Sequence, residues 1–75
     1  METEAVKYLA AAGVMGIGAI GSAFGEAHIG AKAMEAMGRN PKVMDKLFTN
    51  MIVAQAIDES TAIYSLVVAL IILFV

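Results

Sequence analysis

Two adjacent carboxylates, Asp58 and Glu59, lie within an otherwise uncharged apolar part of this chain. They follow the run Leu47–Ile57 and precede the tail Ser60–Val75, neither of which contains a charged side chain. A carboxylate at bilayer depth costs roughly 2.5–3.5 kcal/mol or more, so a residue in that position is by default a functional-site hypothesis. Such a group must pair with another, take up a proton or hold a cation.

Oxygen-bearing side chains follow Glu59 closely. Ser60 and Tyr64 are four residues apart and share a helical face adjacent to Glu59, and Thr61 lies next to Ser60. A carboxylate, two hydroxyls and a phenol within two turns supply the oxygen ligands that hard cations prefer. The alternative is that the hydroxyls bond only to their own helix backbone. For Ser60 the pattern favours cation ligation, whereas for Thr61 the two interpretations are equally good.

Two long apolar segments predict the elements that hold these residues. Tyr8–Gly25 is 18 residues without a charge, and Leu47–Val75 is interrupted only by the Asp58-Glu59 pair. A membrane span needs about 20 mainly apolar residues. In lipid only helices and closed barrels satisfy the backbone, and two segments cannot close a barrel. The sequence therefore predicts an all-α membrane protein with a single domain over 1–75: helix 1 about 5–37, a polar loop about 38–43 and helix 2 about 44–74.

The segment Gly38–Pro41 is the strong turn signal of the chain. A glycine is typical of a helix end, and the residue before a proline is driven away from helical geometry. The sequence midpoint of Glu26 and Glu59 falls between Lys42 and Val43, within the polar loop, so each lies at roughly 24 Å of helix from it. A hairpin therefore brings the two carboxylates to the same depth.

Charge neutrality limits what two facing carboxylates can carry. Because they cannot both ionise at low cost, one of the pair Glu26 and Glu59 is expected to keep its proton. One proton with one Na⁺ gives a neutral site, and two protons give a neutral site that carries H⁺ instead. Asp58 is about 100° around the helix from Glu59, which predicts that the two do not point into one pocket. Its role stays unassigned.

The distribution of charge predicts the orientation. The central stretch is rich in basic residues, and the N-terminal tail is acidic, which argues against a signal peptide. By the positive-inside rule, the loop is cytoplasmic and both termini face outward. The density of glycine and alanine in the first helix favours tight self-association. Nothing in the sequence supports nucleic-acid binding.

Together these features resemble the c-subunit of F-type ATP synthases over essentially the whole chain. The resemblance is carried by the glycines of helix 1, by the polar loop Arg39-Asn40-Pro41 and by Glu59 in helix 2. It implies a homo-oligomeric ring in the cell (inner) membrane, in contact with lipid. It also implies a non-catalytic rotor protein with no cofactor, whose Glu59 binds and releases the coupling ion at the static a-subunit. The loop would contact the central stalk subunits.

The local pattern is similar to the sodium-coupled branch of that family. By this resemblance, Na⁺ is held by the Glu59 carboxylate, the Ser60 hydroxyl and the Ile57 backbone carbonyl. Tyr64 would hold Glu59 in place, and Thr61 would bind a bridging water. Glu26 would be the protonated partner, as in a two-carboxylate variant.

Two alternatives stay open on the sequence. The rotor could carry H⁺ on Glu59 in place of Na⁺. In a different class, the chain could be a structural or hole-forming membrane hairpin with no ion cycle. Such a hairpin would not need a second acid at the depth of Glu59.

Overall fold

The computed structural model describes residues 2–75 as two long helices joined by a short turn. α1 spans Glu2–Arg39, a 3₁₀ turn spans Pro41–Val43, and α2 spans Met44–Phe74. The Cα atoms fill a slender shape of 59 × 15 × 8 Å. The all-α hairpin predicted from the sequence is confirmed. Position 1 of the predicted domain lies outside the described residues.

Pro41, rather than a glycine cap, ends α1. The helix continues through Gly38 to Arg39, and no glycine among residues 2–75 has a positive φ. Asn40 leaves the helix at φ −141° and ψ 71°, outside the helical region that a following proline disfavours. Pro41 then occupies the first position of the 3₁₀ turn, where its missing N–H is not needed. The expectation that Gly38 ends the helix was wrong for this reason.

Both helices are long and apolar enough to cross a membrane. α1 has 38 residues and α2 has 31, so they extend over about 57 and 46 Å at 1.5 Å per residue. The hydrocarbon core of a bilayer is about 30 Å thick. The ends of both helices must therefore reach beyond it. α1 begins three residues before, and ends two residues after, the range 5–37 indicated by the sequence.

The antiparallel packing depends on positions where α1 has no side chain. A Cβ atom on Gly18 would collide with Ser65, and one on Gly25 would lie 2.5 Å from the carboxylate of Asp58. The earlier glycine of α1 meets the later residue of α2 and the later glycine meets the earlier residue, as an antiparallel pair requires. Gly16 and Gly21, in contrast, have open space beside them. The glycines thus divide between a face that meets α2 and a face left free in the single hairpin.

The hairpin has almost no core of its own. Within residues 2–75 the buried side chains are few and mostly small: Ala11, Ser22, Met37, Ala62 and Ala69. Large apolar side chains on both helices stay open, including Leu9, Ile17 and Phe24 at 73–75% exposure. In water this exposed apolar surface would be strongly unfavourable. A surrounding of lipid and neighbouring copies removes that penalty.

We expect Gly18→Ala to separate the two helices. The added methyl has no room beside Ser65, and overpacking of this kind costs about 1–3 kcal/mol. The matched control is Gly16→Ala, which adds the same methyl on the open face. Spin-label distances between the helices and a denaturant titration of the hairpin dispersed in detergent measure both effects. An equal widening by Gly16→Ala would show that the packing face is assigned wrongly.

Candidate functional site

A buried hydroxyl lies among three carboxyl side chains where α1 meets α2. Ser22 is 3% exposed. Its Oγ is 3.2 Å from Glu26 Oε2, on the next turn of α1. From α2, Asp58 Oδ2 approaches to 3.4 Å and Glu59 Oε1 to 3.5 Å. The main-chain oxygen of Asp58 lies at 3.3 Å. Glu26 and Glu59 thus lie at the same level of the hairpin, as their equal distance from the turn predicts.

The chemistry of one hydroxyl limits these contacts. A serine carries a single O–H proton and can donate it to one acceptor at a time, while its oxygen can accept from a protonated carboxyl. Three carboxyl oxygens and one main-chain oxygen surround Ser22 Oγ, so its single proton can serve only one of the three carboxyls at a time. The buried Ser22 hydroxyl is therefore a shared hydrogen-bonding centre for half-buried carboxyls of both helices.

Asp58 belongs to this centre. The expectation that Asp58 and Glu59 point into different pockets was wrong, because both reach the Ser22 hydroxyl. Their Cβ directions do differ by about 100° on an ideal helix. Both side chains nevertheless reach Ser22 Oγ, and Gly25 leaves free the volume that the Asp58 carboxylate occupies.

A second polar contact joins the helices one turn away. The Gln55 side-chain amide donates from Nε2 to the main-chain oxygen of Glu26 at 3.1 Å. Gly30 lies beside this amide, where a Cβ would be 3.2 Å from it. In an apolar surrounding a side-chain amide needs such a partner. This bond fixes the register of the two helices next to the carboxyl centre.

The other residues predicted to bind the ion lie on the opposite, open surface of α2. Ile57 is 69% and Tyr64 71% exposed, and Ser60 and Thr61 are exposed as well. The Ser60 hydroxyl donates to the Ala56 carbonyl at 3.2 Å, the local bond that was the alternative to ligation. Because that bond uses only the proton, the Ser60 oxygen lone pairs remain free to face a cation.

No three Asp, Glu or His side chains in residues 2–75 converge closely enough to hold a metal ion together. The three carboxyls therefore surround a hydroxyl, not a ready-made cage for a multivalent cation. A monovalent ion bound by one carboxylate and neutral oxygens is a different geometry, and it draws on residues of the open surface.

The loop residues are at the far end of the hairpin from the termini. Arg39 forms an exposed ion pair with Glu35 at 3.2 Å, and Lys32 approaches the same carboxylate at 3.8 Å. Asn40 and Pro41 are exposed at the tip. Surface pairs of this kind contribute little to stability. The tip is a polar surface separated from the carboxyl centre by several helical turns.

Sequence reasoning missed Ser22 and Gln55. The four-residue spacing of Ser22 and Glu26 puts both on one face of α1, and this was the available signal for Ser22. Gln55 carries no comparable signal, because its partner is a main-chain atom of the other helix.

The fold and the site define a class of membrane hairpin: two apolar helices in close antiparallel contact, with acidic side chains held between them within the apolar segments. Residues 9–72 match the ATP synthase C-subunit family. The chain belongs to that family. It is a ring-forming, non-catalytic rotor component of an F-type ATP synthase and a membrane protein, and the hole-forming alternative no longer applies.

Proteins named as the c-subunit of ATP synthase are similar over most of their length. That of Petrotoga mobilis is 58% identical over 69 residues, covering 92% of this chain and 72% of the relative. That of Thermotoga petrophila is 52% identical over 69 residues, covering 92% and 81%. That of Dehalococcoides mccartyi is 45% identical over 75 residues, covering 100% and 99%.

The contact between Gly25 and Asp58 predicts that mutations at these two positions have non-additive effects on hairpin stability. Gly25→Ala should displace the Asp58 carboxylate and cost about 1–3 kcal/mol of hairpin stability, because the methyl occupies its volume. In an Asp58→Ala background the same change should cost nothing, since the carboxylate is gone. A double-mutant cycle, with the free energy of unfolding measured by denaturant titration, isolates the energy of the Gly25–Asp58 contact. The gain in helix propensity from glycine to alanine is common to both backgrounds and cancels. Additive effects would rule out the contact.

Proposed function

We propose that Glu59 is the ion-carrying group of the rotor and that its coupling ion is Na⁺. The observation that carries the proposal is the buried Ser22 hydroxyl shared by Glu26 and Glu59, which ties an acid of α1 to the mid-helix acid of α2. A carboxylate kept in an apolar segment at this cost has a function to which its charge is essential.

Sodium is favoured by the donor set near Glu59. The Glu59 carboxylate, the Ser60 hydroxyl and the Ile57 backbone carbonyl would be the direct ligands, all of them hard oxygen donors. Thr61 would bind a bridging water, and Tyr64 would hold Glu59 in place. Because Ser60, Thr61 and Tyr64 are exposed in the single hairpin, a neighbouring copy in the ring would cover them and exclude water.

Glu26 would be the protonated partner of this pair. Two carboxylates against one hydroxyl repel each other, and a proton shared between them removes one of the two charges. With one proton and one Na⁺ the pair is then neutral and can turn through lipid. If both carboxyls took up protons, the same geometry would carry H⁺, and this is the second candidate.

The working cycle needs partners beyond the ring. Ions would enter from outside through the static a-subunit, neutralise Glu59 and allow the ring to turn into lipid, with release on the other side. The exposed tip formed by Arg39, Asn40 and Pro41 would contact the central stalk subunits. The basic loop would be cytoplasmic and both termini outside, in the cell membrane.

Labelling of the assembled ring with a hydrophobic carbodiimide tests the carrier and its ion. Protonated carboxyl groups react with this reagent, so we expect rapid modification at Glu59, faster at low pH, and none at position 59 in Glu59→Gln. With Na⁺ at ten times its half-protection concentration, labelling should be about tenfold slower by mass action. Because protons compete with Na⁺ for the same carboxylate, that half-protection concentration should rise as pH falls.

Mass spectrometry of the labelled peptides separates the two acids. Glu26→Gln is the matched control, since it removes the other carboxyl and should leave Glu59 labelling in place. If Na⁺ protects at no pH, the ion is H⁺. If Glu59 is never modified, the carrier assignment fails.

A further inference from the structure

Glu59 and the residues proposed to complete its ion site face different surroundings. Glu59 is half-buried, and its carboxylate reaches toward α1 as far as Ser22. Ser60 and Tyr64 lie on the open surface of the same helix. In the single hairpin the carrier group is thus held on one side of α2, and neutral oxygen donors are available on another.

We propose that Ser22 is a positioning residue that holds the Glu59 carboxyl inward against α1. Release of this hydrogen bond lets the side chain turn to the open surface, where the Ser60 oxygen is available. The inference rests on the proposed function of Glu59 as the ion carrier. Ser22 itself binds no ion in this scheme, because it lies on α1 and is covered by both helices.

The position of Ser22 suits it to hold Glu59 weakly. It is 3% exposed, so water does not compete for its proton. Within the hairpin, Glu26 and Asp58 compete instead, at 3.2 and 3.4 Å against 3.5 Å for Glu59. A donor shared in this way holds Glu59 for only part of the time. A carrier that must load and unload repeatedly needs a hold of this limited strength.

Asp58 contributes to the same arrangement as a second acceptor for the Ser22 hydroxyl. Its carboxylate lies in the volume that Gly25 leaves open, and both its side-chain and main-chain oxygens approach Ser22 Oγ. It therefore offers the hydroxyl an alternative acceptor each time Glu59 turns away. The buried Ser22 proton is never left without a partner, which would otherwise be costly.

Removal of the hydroxyl tests the proposal. Ser22→Ala keeps a small side chain in α1 and eliminates the donor. In the assembled ring we expect carbodiimide to modify Glu59 roughly two- to tenfold faster, the change that one net hydrogen bond supports. The Na⁺ concentration for half-protection should fall by a similar factor, because Glu59 no longer has to leave the inward position before it binds the ion.

Two further variants separate positioning from packing. Ser65→Ala removes another hydroxyl at the helix contact, one that donates to the Thr61 carbonyl and meets Gly18, and it should change neither quantity. Ser22→Thr keeps the hydroxyl and should restore the original labelling rate. If the extra methyl prevents assembly, Ser22→Cys supplies a weaker donor of similar size and should give an intermediate rate.

The outcomes are distinct from those that test the ion. If Glu59 in Ser22→Ala is labelled at the same rate as in the original chain or in Ser65→Ala, the positioning role is overturned. A Na⁺ half-protection concentration that is higher in Ser22→Ala than in the original chain would also overturn it. If Na⁺ fails to protect any variant, the sodium proposal falls, while the ratio of labelling rates still decides the role of Ser22. Absence of Glu59 labelling in every variant would overturn both.

Discussion

The high cost of charge in an apolar surrounding is the constraint on which this structure depends. Three carboxyl side chains lie between two apolar helices, and each would be strongly unfavourable if it were left ionised and unpartnered. The molecule meets this constraint with one buried hydroxyl, contacted by Glu26 from α1 and by Asp58 and Glu59 from α2. The arrangement leaves the site short of protons. It can become neutral only by taking up a cation or further protons, and that need supports the proposal that Glu59 carries an ion.

Close approach of the helices makes the shared hydroxyl possible. Gly18 and Gly25 have no space for a side chain, and Ser22, between them along α1, is the small polar residue that fits the same contact. A side chain at Gly18 or Gly25 would hold the helices apart. The hydroxyl would then lose its contact with the acids of α2. In this family member the glycines serve the carboxyl centre as well as the packing.

The exposed surfaces of the single hairpin explain why the protein functions in a ring. Its buried side chains within residues 2–75 are too few to form a core, and large apolar groups such as Ile17 and Phe24 are open. Neighbouring copies and lipid provide the contacts that the chain lacks. The open face of α1, with Gly16 and Gly21 free of contacts, allows another helix to approach closely.

The sequence by itself determined the class of fold and the level of the two acids. Apolar length predicts spanning helices, the proline-containing turn predicts the hairpin, and equal distance from that turn brings Glu26 to Glu59. These inferences succeed because helix rise and backbone hydrogen bonding in lipid are nearly invariant. Only the tertiary structure decided which groups meet at that level. Whether Asp58 turns toward Ser22, and whether Gln55 meets a carbonyl of α1, depends on the rotation and spacing of one helix against the other. Those quantities are set by close packing across the interface, where a single missing Cβ at Gly25 makes room for a carboxylate. No periodicity in the sequence encodes such a contact.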